Sequence, residues 1–309
     1  MTTLQCRVQT VTRRGAALFI LMSVVWGLPY MLIKVAVRDL SPAVIVEGRT
    51  AIGALVLVPL ALRQGQLRPL LRVWKPLLAY TVLEMAIPWW LLPDAERRLP
   101  SSLTGLLVAT VPLIAVVLAA VTGHRDQMDR RGLLGLVVGL IGVAALLGLD
   151  VGGGHPGAVG EVGLVAVCYA TGPLLAARYF GNLSSLALSA VSVALVAVAY
   201  APVAIWQRPA QMPDGRVIAA VVSLGLICTA LAFVAFFELI KEIGPTRATI
   251  ITYLNPAVAV VLGVVFLGES FKVGTGIGFV LILAGCWLST APRGARAAPA
   301  VGEPVGERR

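Results

Sequence analysis

Ten apolar runs of about 20 residues each divide this chain, and their length constrains its fold more than any other feature. A run of this length crosses the hydrocarbon core of a bilayer as a helix, whereas strands of a membrane barrel would alternate apolar and polar residues. Only 13% of the residues are charged, against about 25% in soluble domains. We therefore predict an all-α integral membrane protein with ten transmembrane helices. The predicted spans are 15–36, 43–62, 75–93, 100–121, 132–149, 157–178, 184–204, 217–237, 246–267 and 273–291.

The chain also contains an internal duplication. Residues 101–116 and 245–260 have a proline at the matching positions 112 and 256, and each copy leads through an apolar stretch and a short loop into a glycine-rich helix. Duplication in an apolar chain is typical of transporters built from two repeats around a central site. Since each repeat would hold five helices, an odd number, we predict two inverted five-helix repeats. The predicted boundaries are an N-terminal segment 1–14, repeats 15–149 and 157–291, a linker 150–156 and a disordered tail 292–309.

The basic residues are distributed unevenly between the loops. A net charge of +10 would suggest a nucleic-acid partner in a soluble protein, but here the charge follows the topology. Of the 25 Lys and Arg residues, the loops opposite the N-terminus hold only Arg38, Arg97, Arg98, Arg208, Arg216 and Lys272. This bias matches the positive-inside rule. We predict a multi-pass protein of the cell (inner or plasma) membrane with both termini in the cytoplasm and no nucleic-acid partner.

Enzymatic and metal chemistry find no support in the sequence. The four cysteines lack paired spacing, the two histidines fall in different loops, and no Ser/His/Asp set occupies a plausible cavity. No Walker A motif is present, so direct ATP drive by this chain is not expected. We predict no catalytic site, no metal and no cofactor, with a small-molecule substrate and the lipid bilayer as partners.

Short motifs in both halves carry a family resemblance. They are Trp26-Gly27 followed by Lys34, Ser41-Pro42 and Arg49, and Leu254-Asn255-Pro256 followed by Phe266-Leu267-Gly268-Glu269-Ser270. In this order and spacing they resemble EamA-type transporters of the drug/metabolite transporter superfamily, over residues 15–291. The resemblance implies a ten-helix fold and movement of small organic solutes, often outward. Two features depart from the family pattern: His124-Arg125-Asp126 stands where a Gly-Glu pair is usual, and the third span carries Glu84.

Glu84 is the most informative polar residue of the predicted spans. It lies near the middle of span 75–93, where a carboxylate facing lipid would cost several kcal/mol, so it should face a cavity or a partner. One interpretation is a residue that exchanges protons or binds a cation during transport. The other is a structural ion pair with Arg49 or Lys34, and the sequence leaves both open.

Trp26, Tyr30 and Lys34 are spaced to share one face of the first span, with Pro29 positioned to bend the helix. Aromatic side chains along a cavity can stack on ring or amine solutes. The alternatives are ordinary interhelix packing for Trp26 and an interfacial position for Lys34.

Three further side chains of spans two and three are candidates. Arg49 is expected to meet Glu84 or a substrate carboxylate, or else to extend towards the interface. Tyr80 lies four residues before Glu84, on the same helix face. Trp89 and its neighbour Trp90 end the span, where one is expected in the interfacial belt and the other at an outer gate.

Prolines inside apolar spans free backbone carbonyls, and paired interruptions point to a binding site. Pro112 and Pro256 hold matching positions in the two repeats. The polar groups beside them are Thr110, Tyr253 and Asn255. We predict hinges at Pro29, Pro88, Pro112 and Pro256, with kinks needed for packing alone as the alternative.

These features together predict a secondary transporter of small organic metabolites, either amino acids or amphipathic and cationic compounds. Export by alternating access is the favoured mode, and proton coupling rests on Glu84 alone. A facilitative, channel-like permease is the main alternative, and an integral membrane enzyme is a weaker one. The glycine-rich helices suit close packing within one protein, with a homodimer as the alternative use.

Overall fold

The computed structural model describes residues 12–65, 67–121, 130–150, 155–244, 248 and 251–290, and every regular element in these ranges is helical. The first repeat contains α1 Arg13–Val25, α2 Leu28–Ala36, α3 Pro42–Arg63, α4 Arg68–Leu71, α5 Trp74–Thr81, a π-helical turn Val82–Ala86, α6 Ile87–Glu96, α7 Ser101–Val108, α8 Val111–Val121 and α9 Arg130–Asp150. The second contains α10 Pro156–Phe180, α11 Ser185–Trp206, α12 Gly215–Gly225, a π-helical turn Leu226–Leu231, α13 Ala232–Ile243, α14 Ile251–Leu267 and α15 Val273–Thr290. The predictions for residues 1–11, the loop holding His124-Arg125-Asp126, linker residues 151–154 and the tail 292–309 lie outside the described residues.

The helices form ten rods that correspond to the ten predicted spans. In chain order they are α1–α2, α3, α5–α6, α7–α8, α9, α10, α11, α12–α13, α14 and α15. Six continuous stretches are long and apolar enough to cross a bilayer, and three shorter apolar helices accompany them in the described ranges. The all-α membrane fold is therefore confirmed. The largest boundary difference is in the eighth rod, which continues to Ile243. Residues 238–243 mix charged and apolar side chains, so the apolar run ends before the helix does.

Contacts between rods follow a two-fold pattern. Rods at corresponding positions of the two repeats pack together: α3 with α11, α7 with α14, and α9 with α15. The first rod packs on the eighth, and the third packs on the sixth, so exchanging the repeats maps these two contacts onto each other. Because each repeat contributes five rods, the second runs in the opposite sense, and the inverted-repeat architecture is confirmed.

The backbones of α9 and α15 pack in direct contact, and glycines line the contact on both helices. A Cβ on Gly285 would lie 2.5 Å from the Gly139 nitrogen and 2.6 Å from the Gly135 oxygen, and one on Gly142 would lie 2.8 Å from the Ile282 nitrogen. These glycines therefore serve packing within the chain. A homodimer stays a prediction.

Within the described ranges, four of the ten rods are irregular. The first is interrupted at Trp26-Gly27 and the fourth at Ala109-Thr110, and both α2 and α8 carry a proline in their first turn. The third and eighth rods contain the two π-helical turns, at equivalent positions of the repeats. By contrast, α14 continues through Pro256 without a break, so the interruption predicted there to match Pro112 is not found. Interrupted helices and π-helical turns are typical of functional regions.

Candidate functional site

Arg49 is a buried cation anchored between the two repeats. Only 8% of it is exposed, and its Nε donates to Thr229 Oγ1 at 2.9 Å. Thr229 belongs to the π-helical turn of the eighth rod and itself donates to the Leu224 carbonyl five residues earlier. Its position in the π-helical turn thus turns the threonine oxygen towards α3 as an acceptor. No carboxylate of the described residues lies within ion-pair distance of the guanidinium.

Besides its hydrogen bond to Thr229, the Arg49 guanidinium stacks on the indole ring of Trp89. The Arg49 Cζ lies 3.7 Å from the centre of the indole ring, a cation–π contact in a buried setting. Trp89 belongs to a buried cluster against which Tyr169 of α10 packs. With Nε and one face engaged, the Nη groups of Arg49 make no hydrogen bond with any described residue, so they are available for a bidentate acceptor.

Glu84 lies in the π-helical turn of the third rod and is pressed against α10. Its carboxylate occupies the space that a Cβ of Gly172 would need, so this glycine permits the approach. The Glu84 Oε2 atom is buried and makes no hydrogen bond within the described part of the chain. Neither Arg49 nor Lys34 comes within 4.0 Å of the carboxylate, so the ion-pair alternative for Glu84 is not found.

Tyr169 lies on the helix that packs against the third rod. It contacts the buried cluster that contains Met85, next to Glu84, and Trp89, which covers Arg49. Tyr80 is buried one turn from Glu84 and packs edge-on against Phe180, with ring centres 5.8 Å apart. The site therefore combines one cation, one carboxyl and several aromatic faces.

Pro88 follows the π-helical turn and lies in the first turn of α6. The Ala86 carbonyl in this region accepts a hydrogen bond from Tyr200 at 2.9 Å, and the Tyr200 ring lies 5.5 Å from that of Trp90. The irregular backbone around Glu84 is thus held by a side chain of α11. Trp89 is buried in the site, whereas Trp90 is partly exposed.

Trp26, Tyr30 and Lys34 contact three different parts of the bundle. Trp26, at the break of the first rod, packs on Phe236 of α13 with ring centres 4.6 Å apart. Tyr30 is buried in a cluster against which Tyr169 packs, so it extends the site. Lys34 donates to the carbonyls of residues 96 and 99 at 2.5 and 2.8 Å, at the carboxyl end of α6.

Two of the polar residues beside the predicted prolines bond to the backbone near a helix break, and the third bonds to a neighbouring helix. In the amide orientation that satisfies both of its groups, Asn255 donates to the Ser23 carbonyl at 3.1 Å, just before the Trp26-Gly27 break. Thr110 donates to the Leu107 carbonyl at 2.7 Å at the fourth-rod break. Tyr253 contacts the carbonyl of residue 286 at 3.4 Å.

The structure thus brings together Arg49, Glu84, Trp89, Tyr80 and Tyr30, and places Lys34, Trp26, Thr110, Tyr253 and Asn255 at contacts between helices. Sequence reasoning missed Tyr169, Thr229 and Gly172. A tyrosine in the middle of span 157–178 was a usable signal for Tyr169. Thr229 and Gly172 carry no such signal, because only the packing of rods shows which helix they face.

The end of the bundle near the 268–270 loop is closed by polar contacts. The Glu269 carboxylate accepts hydrogen bonds from the Ser101 and Ser102 backbone nitrogens at 2.7 and 3.0 Å, and from the Ser101 hydroxyl at 2.9 Å, so it caps α7. Burial acts to raise the pKa of Glu269, but these bonds outweigh it and lower the pKa below its ordinary value. The cap joins the two repeats.

The opposite end of the bundle is more open. A cleft of about 570 Å³ lies between α3, the α10–α11 loop and α13. Its polar lining includes Gln64, Asn182, Glu238 and Lys241. Among the described residues, no group of His, Cys, Asp and Glu side chains could hold a metal ion.

Comparison with known proteins gives a consistent result. A profile of the family described as "EamA-like transporter family" matches residues 13–148 and 162–291. Three similar proteins are the "Uncharacterized inner membrane transporter YedA" of Escherichia coli K12, the "Uncharacterized transporter YvbV" of Bacillus subtilis 168 and the "Probable terminal-alkyne amino-acid exporter" of Streptantibioticus cattleyicolor.

These similarities extend over most of each chain. YedA is 28% identical over 262 residues, covering 83% of both chains, and YvbV is 24% identical over 293 residues, covering 94% and 95%. The Streptantibioticus protein is 28% identical over 278 residues, covering 87% and 91%. A solved crystal structure matches with a TM-score of 0.62 at 19% identity over 89% of this chain and 96% of the other, a likeness of fold alone.

Proposed function

The chain belongs to the EamA-like transporter family and is a multi-pass membrane transporter rather than an enzyme, and from this premise we propose that it exports small organic metabolites by alternating access. Within that class we propose amino acids and related zwitterions as the substrates. A relative whose name describes an amino-acid exporter supports the choice of class.

The observation that carries the proposal is the pair of opposite charges that do not neutralise each other. Arg49 and Glu84 are both drawn into the bundle, yet no ion pair joins them. Burying unpaired charges is costly unless a partner completes them. An amino acid brings a carboxylate for the Nη groups of Arg49 and an ammonium for Glu84, so it complements both.

Competition at Glu84 supports proton-coupled export. The Glu84 carboxylate can bind the substrate ammonium group in one conformation of the transporter and a proton in the other. Because it cannot bind both at once, substrate and proton would be exchanged across the membrane. The outer proton then replaces the substrate at Glu84 as the substrate leaves. Aromatic side chains at Tyr30, Tyr80 and Trp89 would accept an apolar substrate side chain.

Alternating access is supported by the unequal ends of the bundle. The end with the Glu269 cap is closed, and the other opens into the cleft near Gln64 and Lys241. The charge bias between loops supports an orientation with this cleft and both termini in the cytoplasm. The name of YedA supports the inner membrane as the location.

The test is uptake of labelled amino acids and organic cations into inside-out vesicles, with and without an acidic lumen. We expect the gradient to drive accumulation of an amino-acid class, and E84Q to abolish the gradient-driven part. Equilibration without accumulation would instead establish a facilitative permease. Accumulation of organic cations with no amino-acid uptake would overturn the assigned substrate class.

A further inference from the structure

Glu96 is a second carboxyl of the bundle that the proposed function does not use. It ends α6, is 0% exposed, and neither of its carboxylate oxygens has a hydrogen-bond partner among the described residues. Buried polar atoms are normally paired, and an unpaired buried charge costs several kcal/mol. A carboxyl in this setting requires a ligand that neutralises it.

The neighbouring cation does not supply that neutralisation. Lys34 directs its ammonium to the backbone carbonyls of Glu96 and Leu99, at 2.5 and 2.8 Å, and forms no ion pair with the Glu96 carboxylate. Glu269 does not supply it either, because it is itself an acid and its oxygens are occupied by the α7 cap.

The elements packed against α6 carry several charged and titratable groups. Those on α6 and the turn after it are Asp94, Arg97 and Arg98; those on the packed elements are Tyr30 and Lys34 of α2, Glu47 and Arg49 of α3, Glu84 of the π-helical turn and Glu161 of α10, with Glu269 at the α7 cap. Asp94 and Glu161 are both paired with Arg98, at 2.6 and 2.7 Å. Glu96 therefore differs from Asp94 and Glu161 in having no cation bonded to its carboxylate, and from Glu269 in that this carboxylate accepts no hydrogen bond from any described residue.

Tyrosines connect Glu96 with the central site. Tyr30 lies in a buried cluster with Leu92 of α6, and Tyr169 packs against both this cluster and the one that contains Met85, the neighbour of Glu84. Because Leu92 lies between Glu84 and Glu96 in the chain, the two tyrosines pack along the stretch that separates the two carboxyls. Hydroxyl groups both donate and accept hydrogen bonds, so they can relay a proton between carboxyls.

We propose that Glu96 is the outer proton-loading site of this transporter, which takes up a proton from the external side and passes it inward to Glu84. This inference rests on the proposed proton-coupled function. When the outer end opens, water reaches the carboxylate and protonates it; when the end closes around the Glu269 cap, the neutral acid is buried. The loaded proton then moves along the tyrosines as Glu84 releases its substrate.

The test varies only the lumenal pH of inside-out vesicles, because the outer face of the protein then faces the lumen. The bath pH and the salt on both sides are held constant. Wild-type uptake should rise by up to about tenfold for each unit of lumenal acidification. E96Q, a permanent mimic of the neutral acid, should lose this dependence but keep substrate-for-substrate exchange, which needs no proton movement.

Two variants separate loading from structure. E96D keeps a carboxyl and should restore a lumenal pH dependence, and D94N removes a partly exposed, ion-paired acid of the same turn and should behave as wild type. If E96Q responds to lumenal pH as wild type does, the inference is overturned while the proposed function stands. If exchange is lost in both E96Q and E96D, Glu96 has a structural role and the inference fails. If wild type ignores the gradient, the proton coupling proposed at Glu84 fails, and this inference fails with it.

Discussion

The side chains of Arg49 and Thr229 meet across the two repeats, with 2.9 Å between Nε and Oγ1. One residue comes from the first repeat and the other from the π-helical turn of the second, so the site exists only where the halves meet. The bond fixes one edge of the guanidinium and leaves the Nη groups for a ligand. The first prediction follows from this geometry.

Replacing Arg49 by lysine should impair substrate binding although the charge is kept. Lysine lacks the planar fork that stacks on Trp89 and presents two Nη groups. We expect R49K to raise KM at least about tenfold, equivalent to ~1.4 kcal/mol, and R49A to raise it further. Initial rates in inside-out vesicles give this value. R97K, at an exposed arginine with a long 3.8 Å contact to Asp94, is the control and should match wild type.

Adding one methyl group at Gly172 should displace Glu84. A Cβ there overlaps the carboxylate, so G172A forces Glu84 or α10 to shift at a cost of about 1–3 kcal/mol. We expect gradient-driven transport to fall strongly and the melting temperature to fall modestly. G163A is the matched control, because a Cβ on this glycine of the same helix meets nothing within 4 Å. Equal transport by the two variants would contradict the placement of Glu84.

Asn255 should act through the backbone of the first rod. N255D replaces the amide donor with an acceptor and leaves the Ser23 carbonyl unpaired, a loss of about 1–3 kcal/mol. We expect a lower melting temperature with substrate affinity of the surviving protein unchanged. N182D, on an exposed loop residue, controls for added charge. A selective rise in KM with normal stability would instead make Asn255 a substrate ligand.

The Glu269 cap should give a stability that depends on pH. Because its pKa is lowered in the folded protein, ionised Glu269 stabilises the fold above the ordinary pKa of a carboxyl, and this contribution disappears as the pH falls through the lowered value. E269Q should therefore melt below wild type at neutral pH, and the difference should shrink under acidic conditions. Melting curves at several pH values test this. A constant difference at all pH values would show that the carboxylate charge is not involved.

The ten rods and their inverted order could be predicted because the bilayer imposes a length on every apolar run. The irregularities could be predicted only in part. Pro112 marks a real break and Pro256 does not, since the helix around Pro256 is continuous and packs its Asn255 neighbour against the first rod. Proline weakens a helix at a known position, but packing by neighbours decides whether the helix separates there.

The candidate site could likewise be predicted only in part from the sequence. Glu84 and Arg49 stand out in the sequence because ionisable residues are rare in apolar spans. Thr229 and Gly172 do not, since their roles depend on which rod they face. Glu96 was not recognised as a buried residue because the predicted span ended at residue 93. The helix α6 continues to Glu96, which is completely buried.

The glycine-lined contact between α9 and α15 limits which substitutions these two helices can accumulate. A crowded side chain relaxes by changing rotamer, but Gly285 lies directly on the backbone of Gly139, which has no such freedom. Every residue larger than glycine at this position must separate two whole helices. Lipid-facing neighbours on the same helices, such as Leu140 and Ile277, are more than 40% exposed and can change freely among apolar residues. Substitutions are therefore poorly tolerated on the face of each helix that contacts the other, and well tolerated on the exposed face.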